Sequence, residues 1–173
     1  MKAFFVIERA EFARILASKG LLEQTGTGYD PEYDWFFDFL GDELASRIKK
    51  PEKADRPMEF VVKADFDTDN MGIVGVQCAR VWADIPDEKA VLVDGWLAEN
   101  LMFCGVAYDQ EKTEDANAYI ATIEAADEET KAANRRSIFE VTDDTRYVKA
   151  LTWQFDLKWI TSADFYTPHD IEA

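Results

Sequence analysis

The chain has 173 residues, 47% of them hydrophobic and 13% aromatic, which is enough to fill one buried core. Its 35 acidic residues against 19 basic ones leave a net charge of −16, so a phosphate backbone is an unfavourable direct partner, while the hydrophobic content excludes a disordered acidic tail. No run approaches the ~18 apolar residues of a membrane span, and the apolar stretch within "MKAFFVIERAEF" is too short for a signal peptide. The expectation is one cytoplasmic domain over residues 1–173.

In chain order, "AFFVI" (3–7) reads as a buried strand. "ERAEFARILASKG" follows as a helix with Phe12, Ile15, Leu16 and Lys19 at helical spacing and Gly20 as its stop. "EQTGTGY" carries turn residues only and reads as a linker, because its glycines lack the lysine and the strand-to-helix setting of a phosphate cradle. The next segment, "DPEYDWFFDFLGDELASRIKK", predicts a helix capped by Asp30, with Pro31 at its first position and Tyr33, Phe36, Phe37, Leu40, Leu44 and Ile48 on one face.

"MEFVVKADF" (58–66) alternates as a half-buried strand, and "GIVGVQCARVWADI" (72–85) reads as a second one, paired to it by a hairpin across residues 65–72. "DEKAVLVD" is a further strand, and "DGWLAENLMFCG" a short helix between Asp94 and Gly105. Residues 111–137 predict a helix or a broken pair of helices with a thin apolar face of Ala116, Tyr119, Ile120 and Ile123, lying on the outside. "YVKALTWQFDLKWI" closes the chain as a long strand with Tyr147, Leu151, Trp153, Phe155, Leu157 and Trp159 on one side. Hairpin-linked strands with helices between them predict an α+β fold, a mostly antiparallel sheet with helices packed on it.

Three stretches invite a chemical reading. In "ADFDTDNMGI", Asp65, Asp67 and Asp69 alternate, but a calcium loop counted from Asp65 has Asn70 where glycine belongs and Val76 where the bidentate glutamate belongs. The aspartyl-phosphatase pattern fails at Asp69, so the stretch reads as a hairpin tip, with weak divalent-metal binding as the alternative. The single histidine, His169, near the C-terminal end, leaves no partner for a histidine-based triad or a zinc site. Cys78 and Cys104, 26 positions apart in apolar surroundings, read as two buried free thiols. The tryptophans read as core. No cofactor and no metal site is expected.

The acidic residues carry the sharper pattern. Asp30, Asp34, Asp38 and Asp42 recur every four positions, and with Glu32 and Glu43 they give residues 30–43 six acids and no base. Neighbouring carboxylates would stand roughly 6 Å apart along the axis, at a cost of ~0.2–0.5 kcal/mol per like-charged pair. A second block, residues 109–129, holds eight acids against Lys112 alone. Both blocks fit a solvated face. They also fit a surface that imitates a line of phosphates and binds a basic protein surface, such as the groove of a nuclease or another DNA-binding protein.

The segments "AFFVIERAEFARILASKGLL", "YDWFFDFLGDELASRI", "ADIPDEKAVLVDGWLAENLM" and "NRRSIFEV…YVKALTWQFDLKWITSADFY" together resemble a bacterial and phage family, domain of unknown function 3841. Its members open with a strand, a helix and a Gly-Leu stop and close with an "IFD…VQATFWEL" segment. This chain departs from the family where "KPEKADRPMEFVVKADFD" replaces a more basic region. The resemblance implies no activity; with the acidic blocks it suggests an inhibitor of a host defence nuclease. The opening unit also looks like the entry of mono-ADP-ribosyltransferases. That resemblance implies an enzyme in which Arg9 holds a nicotinamide dinucleotide and Glu140 stabilises the transition state; the remaining alternative is a housekeeping domain without catalysis.

Overall fold

The computed structural model describes residues 1–18, 21–23 and 31–169. Its centre is a six-stranded antiparallel sheet in the order β5-β6-β3-β1-β4-β8, formed by Val91–Asp94, Val148–Thr152, Met58–Lys63, Lys2–Glu8, Cys78–Asp84 and Ile160–Tyr166. A small second sheet pairs β2 (Leu21–Glu23) with β7 (Gln154–Asp156). The described helices are α1 (Arg9–Ala17), α2 (Asp34–Ala45), α3 (Gly95–Cys104), α4 (Ala116–Glu124) and α5 (Glu128–Arg136). The fold class is α+β, as the segment pattern predicts. No described helix is long and apolar enough to cross a membrane.

Alternation along the strands sends side chains to two covered faces. Phe5, Phe60, Ala83 and Ala150 meet Phe155 and Leu157 on one face, where Phe12 of α1 also packs on Ala79 and Val81. On the other face Val93, Leu151 and Trp153 meet Phe36, Phe37, Leu40 and Leu44 of α2 and Leu101 of α3. The apolar stripe predicted for α2 is therefore its buried face. Its first turn differs: Pro31–Tyr33 form a 3-10 turn and Tyr33 gives no side-chain cap, while Asp30 lies outside the described residues.

Helix α3 follows the sequence pattern closely. Asp94 accepts from the Leu97 N–H, and Gly105 closes the helix with φ 73°, a left-handed conformation that favours glycine. Residues 111–137 form the broken pair α4 and α5, each capped by an aspartate, Asp115 or Asp127, and neither burying a residue. Helix α1 ends at Ala17, and Leu16, expected on its apolar face, is 54% exposed. The expected stop at Gly20, Lys19 and most of the 23–29 linker lie outside the described residues.

Two predicted elements are corrected. The strands expected to form a hairpin across residues 65–72 are not partners: β3 and β4 flank β1, each antiparallel to it, and so run parallel to one another. Parallel strands cannot be joined by a tight turn. The connection instead returns along β1, a path of ~20 Å at strand rise, with Phe66 and Met71 packed over Phe4 and Val61. β4 correspondingly starts at Cys78, not at Gly72.

The long closing strand expected over 147–160 is broken into β6, β7 and a 3-10 turn at Leu157–Trp159, and β8 begins at Ile160. At the first break Trp153 turns into the α2 cluster and its indole N–H donates to the Ile48 carbonyl at 3.0 Å, while the Thr152 hydroxyl donates to the Gln154 carbonyl at 3.0 Å. Tyr147, Trp153 and Phe155 consequently enter three different clusters instead of sharing one side. Cys78 is buried as expected, whereas Cys104, the last residue of α3, is exposed.

Candidate functional site

Burying Phe36, Phe37, Leu40 and Leu44 of α2 turns the opposite stripe, which carries the acids, outward. The acids do not behave alike. Asp34 is bound by the Arg56 guanidinium, whose side chain is only 9% exposed and whose carbon lies 5.4 Å from the Phe37 ring centre. Glu43 accepts from Arg136 at 2.8 Å and pairs with Arg47 at 3.6 Å. The block without a base in sequence thus meets three arginines, Arg47 from the turn just after α2 and Arg56 and Arg136 from farther along the chain. Asp38 and Asp42 are exposed and have no ion-pair partner among the described residues; Glu32, in the preceding 3-10 turn, is also exposed.

Trp35 belongs to the same stripe, three residues before Asp38, and is 39% exposed. Together with Glu32, Tyr33, Met102, the 62%-exposed Phe103 and Arg135 it lines a groove of about 310 Å³ between the start of α2 and the end of α3. Trp35, expected in the core with the other tryptophans, is thus exposed, and nothing in the sequence singles out Phe103. Their meeting depends on how α2 and α3 pack, which no local spacing encodes.

The second acidic block is largely absorbed by the fold. Asp115 and Asp127 cap α4 and α5, Glu128 pairs with Lys131 at 3.1 Å, and Arg146 binds Glu111 and also Asp65 at 3.2 Å. Lys112, 2.8 Å away, holds the Asp109 carboxyl below its ordinary pKa, and the backbone bond from Thr130 does the same for Asp127. Asp109, Lys112, Glu140 and Arg146 line a cleft of about 290 Å³ together with Trp96 and Leu97. Its residues come from three separate segments, 94–97, 109–112 and 137–146, so no single motif marks it.

The three alternating aspartates diverge. Asp65 accepts from the Trp96 indole at 3.1 Å and pairs with Arg146; Asp67 accepts from the Asp69 N–H; Asp69 pairs with Arg80 at 2.7 Å. No group of three His, Cys, Asp or Glu among the described residues is placed to hold a metal ion. Gly72 within this stretch has φ 112°, and a Cβ there would lie 2.7 Å from the Cys78 sulfur. Its glycine serves the path of the crossover.

Arg9 and Glu140 do not meet. The Arg9 guanidinium hydrogen-bonds Gln77 and covers the Phe165 ring of β8 at 4.8 Å, whereas Glu140 follows the 3-10 turn at 137–139, which packs against β5. These strands form opposite edges of the sheet, ~24 Å apart at ordinary strand spacing. His169 is exposed, its backbone paired with the Asn70 side chain.

No family model, curated protein or solved structure matches the chain.

Proposed function

We propose that the protein acts by binding, presenting the outer face of α2 to a basic groove of a nucleic-acid-handling protein. The observation that carries this reading is the pair Asp38 and Asp42, exposed and without ion-pair partners among the described residues, on a helix whose other face is fixed in the core. Two carboxylates one helical turn apart, ~6 Å along the axis, form a short line of negative charge on a rigid support. Such a surface accelerates encounter with a basic groove and makes the association sensitive to salt. The bacterial and phage resemblance makes a defence nuclease the concrete form of the partner.

The dinucleotide-transferase alternative would need Arg9 and Glu140 to face one cleft. Their placement at opposite sheet edges favours the binding reading.

Affinity capture from the native host cell at low and high salt tests it, comparing wild type with the Asp38→Asn/Asp42→Asn variant. Asp34 is left intact because it serves Arg56. A basic DNA-binding or nuclease partner that elutes with salt and is lost from the variant supports the proposal; equal capture by both proteins rejects it.

A further inference from the structure

Three arginines of this protein are held in one recurring way, by an aromatic ring and a carboxylate together. Arg47 lies 4.4 Å from the Phe139 ring centre and pairs with Glu43. Arg56 covers Phe37 and pairs with Asp34. Arg80 lies 5.8 Å from Trp82 and 5.4 Å from Tyr166, with Asp69 and Asp164 as its carboxylates. The chemistry explains the recurrence. A planar guanidinium stacks on a π-face while its edge donates to a carboxylate.

The outer stripe of α2 carries the same two groups without the cation. Trp35 and Asp38 stand at i and i+3, their Cβ atoms ~5–6 Å apart, and Asp42 follows one turn later. Among the described residues no lysine or arginine stacks on Trp35 or pairs with Asp38 or Asp42. Beside Trp35 opens the groove that Phe103 walls, where the apolar side chains of Tyr33, Met102 and Phe103 share the lining with Glu32 and Arg135.

We propose that this stripe is the docking site for an arginine-bearing segment of the basic partner, one guanidinium stacking on Trp35 and pairing with Asp38 while an adjacent apolar side chain sits against Phe103. The inference rests on the acidic-face reading and adds its anchor, since tryptophan and arginine concentrate binding energy at interfaces. Charge complementarity selects the occupant. A neutral or acidic segment would leave Asp38 and Asp42 unmatched.

The test uses the whole protein and a defined probe, a short peptide of alternating arginine and leucine, beside the same peptide with lysine for arginine. Binding is measured across salt concentrations, with the five tryptophan indole N–H signals followed by NMR and that of Trp35 assigned from Trp35→Phe. The expected result is that the Trp35 signal moves, that the arginine peptide binds at least about fivefold tighter than the lysine one, and that Trp35→Ala and Phe103→Ala each weaken it about fivefold with an unchanged salt slope. Asp38→Asn/Asp42→Asn instead flattens that slope. If both aromatic variants bind within twofold of wild type while the acid variant weakens binding, the anchor is overturned and the acidic-face reading stands. If the acid variant leaves affinity and slope unchanged, both are overturned.

Discussion

Asp34 and Asp38 are one helical turn apart and identical in chemistry, yet the fold gives them opposite roles. Asp34 serves a nearly buried guanidinium, so Asp34→Asn is expected to cost about 1–3 kcal/mol in urea unfolding, whereas exposed Asp38→Asn is expected to stay within ~0.5 kcal/mol of wild type. Glycines divide in the same manner. A Cβ on Gly95 would overlap the Tyr147 ring, so Gly95→Ala should destabilise by ~1–3 kcal/mol. At Gly41 within α2 the nearest atom to an added Cβ is 3.6 Å away, and Gly41→Ala should gain ~0.5–1 kcal/mol in the same assay.

Charge pairs across the sheet set the pH limits of these side chains. The Arg80 bond holds the Asp164 carboxyl below its ordinary value, so its contribution is present above the unfolded pKa near ~3.9 and is lost as pH falls through the folded one. Burial works to lower the Lys149 pKa, but Glu59, Tyr147 and Glu99 together hold it above its ordinary value; that contribution is present below ~10.4 and is lost as pH rises through the folded value. Burial also pushes Tyr147 up to about 12. Thermal melts from pH 2 to 11 should therefore decline at both ends, and Arg80→Met should flatten the acid side while leaving the alkaline side as in wild type.

At the scale of elements, α2 and α3 are stabilised by different means. Asp94 caps α3, and Asp94→Ala should cost about 1 kcal/mol of stability. α2 has no side-chain cap and depends on its core face, where Leu40→Ala at a fully buried position should cost ~2–5 kcal/mol. Both are read from urea midpoints at constant slope. α3 was legible in sequence because its cap, Asp94, and its stop, Gly105, bracket one continuous segment, and α2 because its apolar residues keep helical spacing. The strands were legible as segments but not as partners. Alternation of Met58, Phe60 and Val62 reports that a strand is half-buried, and it is the same whether the next strand lies beside it or beyond β1. The break at Trp153 was hidden for a related reason, since the indole's acceptor, Ile48, lies 105 positions away. The acidic stripe was visible in the spacing of its aspartates, and so was Arg47, four positions after Glu43; Arg56 and Arg136, which neutralise another part of it, lie far along the chain from their partners and could not be seen there.

For the whole molecule, the net charge of −16 is spread unevenly. Much of the second block is used in caps and ion pairs, which leaves the outer stripe of α2, with Trp35, Asp38 and Asp42, as the acidic surface that has an apolar anchor beside it. Displaying Asp38 and Asp42 one turn apart costs the helix ~0.2–0.5 kcal/mol at low salt. Neutralising both should thus raise stability slightly while weakening association, a division that a purely structural role for the stripe does not produce.

The most direct measurement is competition for the captured partner between this protein and duplex DNA at near-physiological salt. The account predicts that wild type displaces the DNA and that Asp38→Asn/Asp42→Asn needs about tenfold more protein to do so, equivalent to ~1.4 kcal/mol. A partner that holds DNA and this protein at once, with wild type and variant alike, would contradict it.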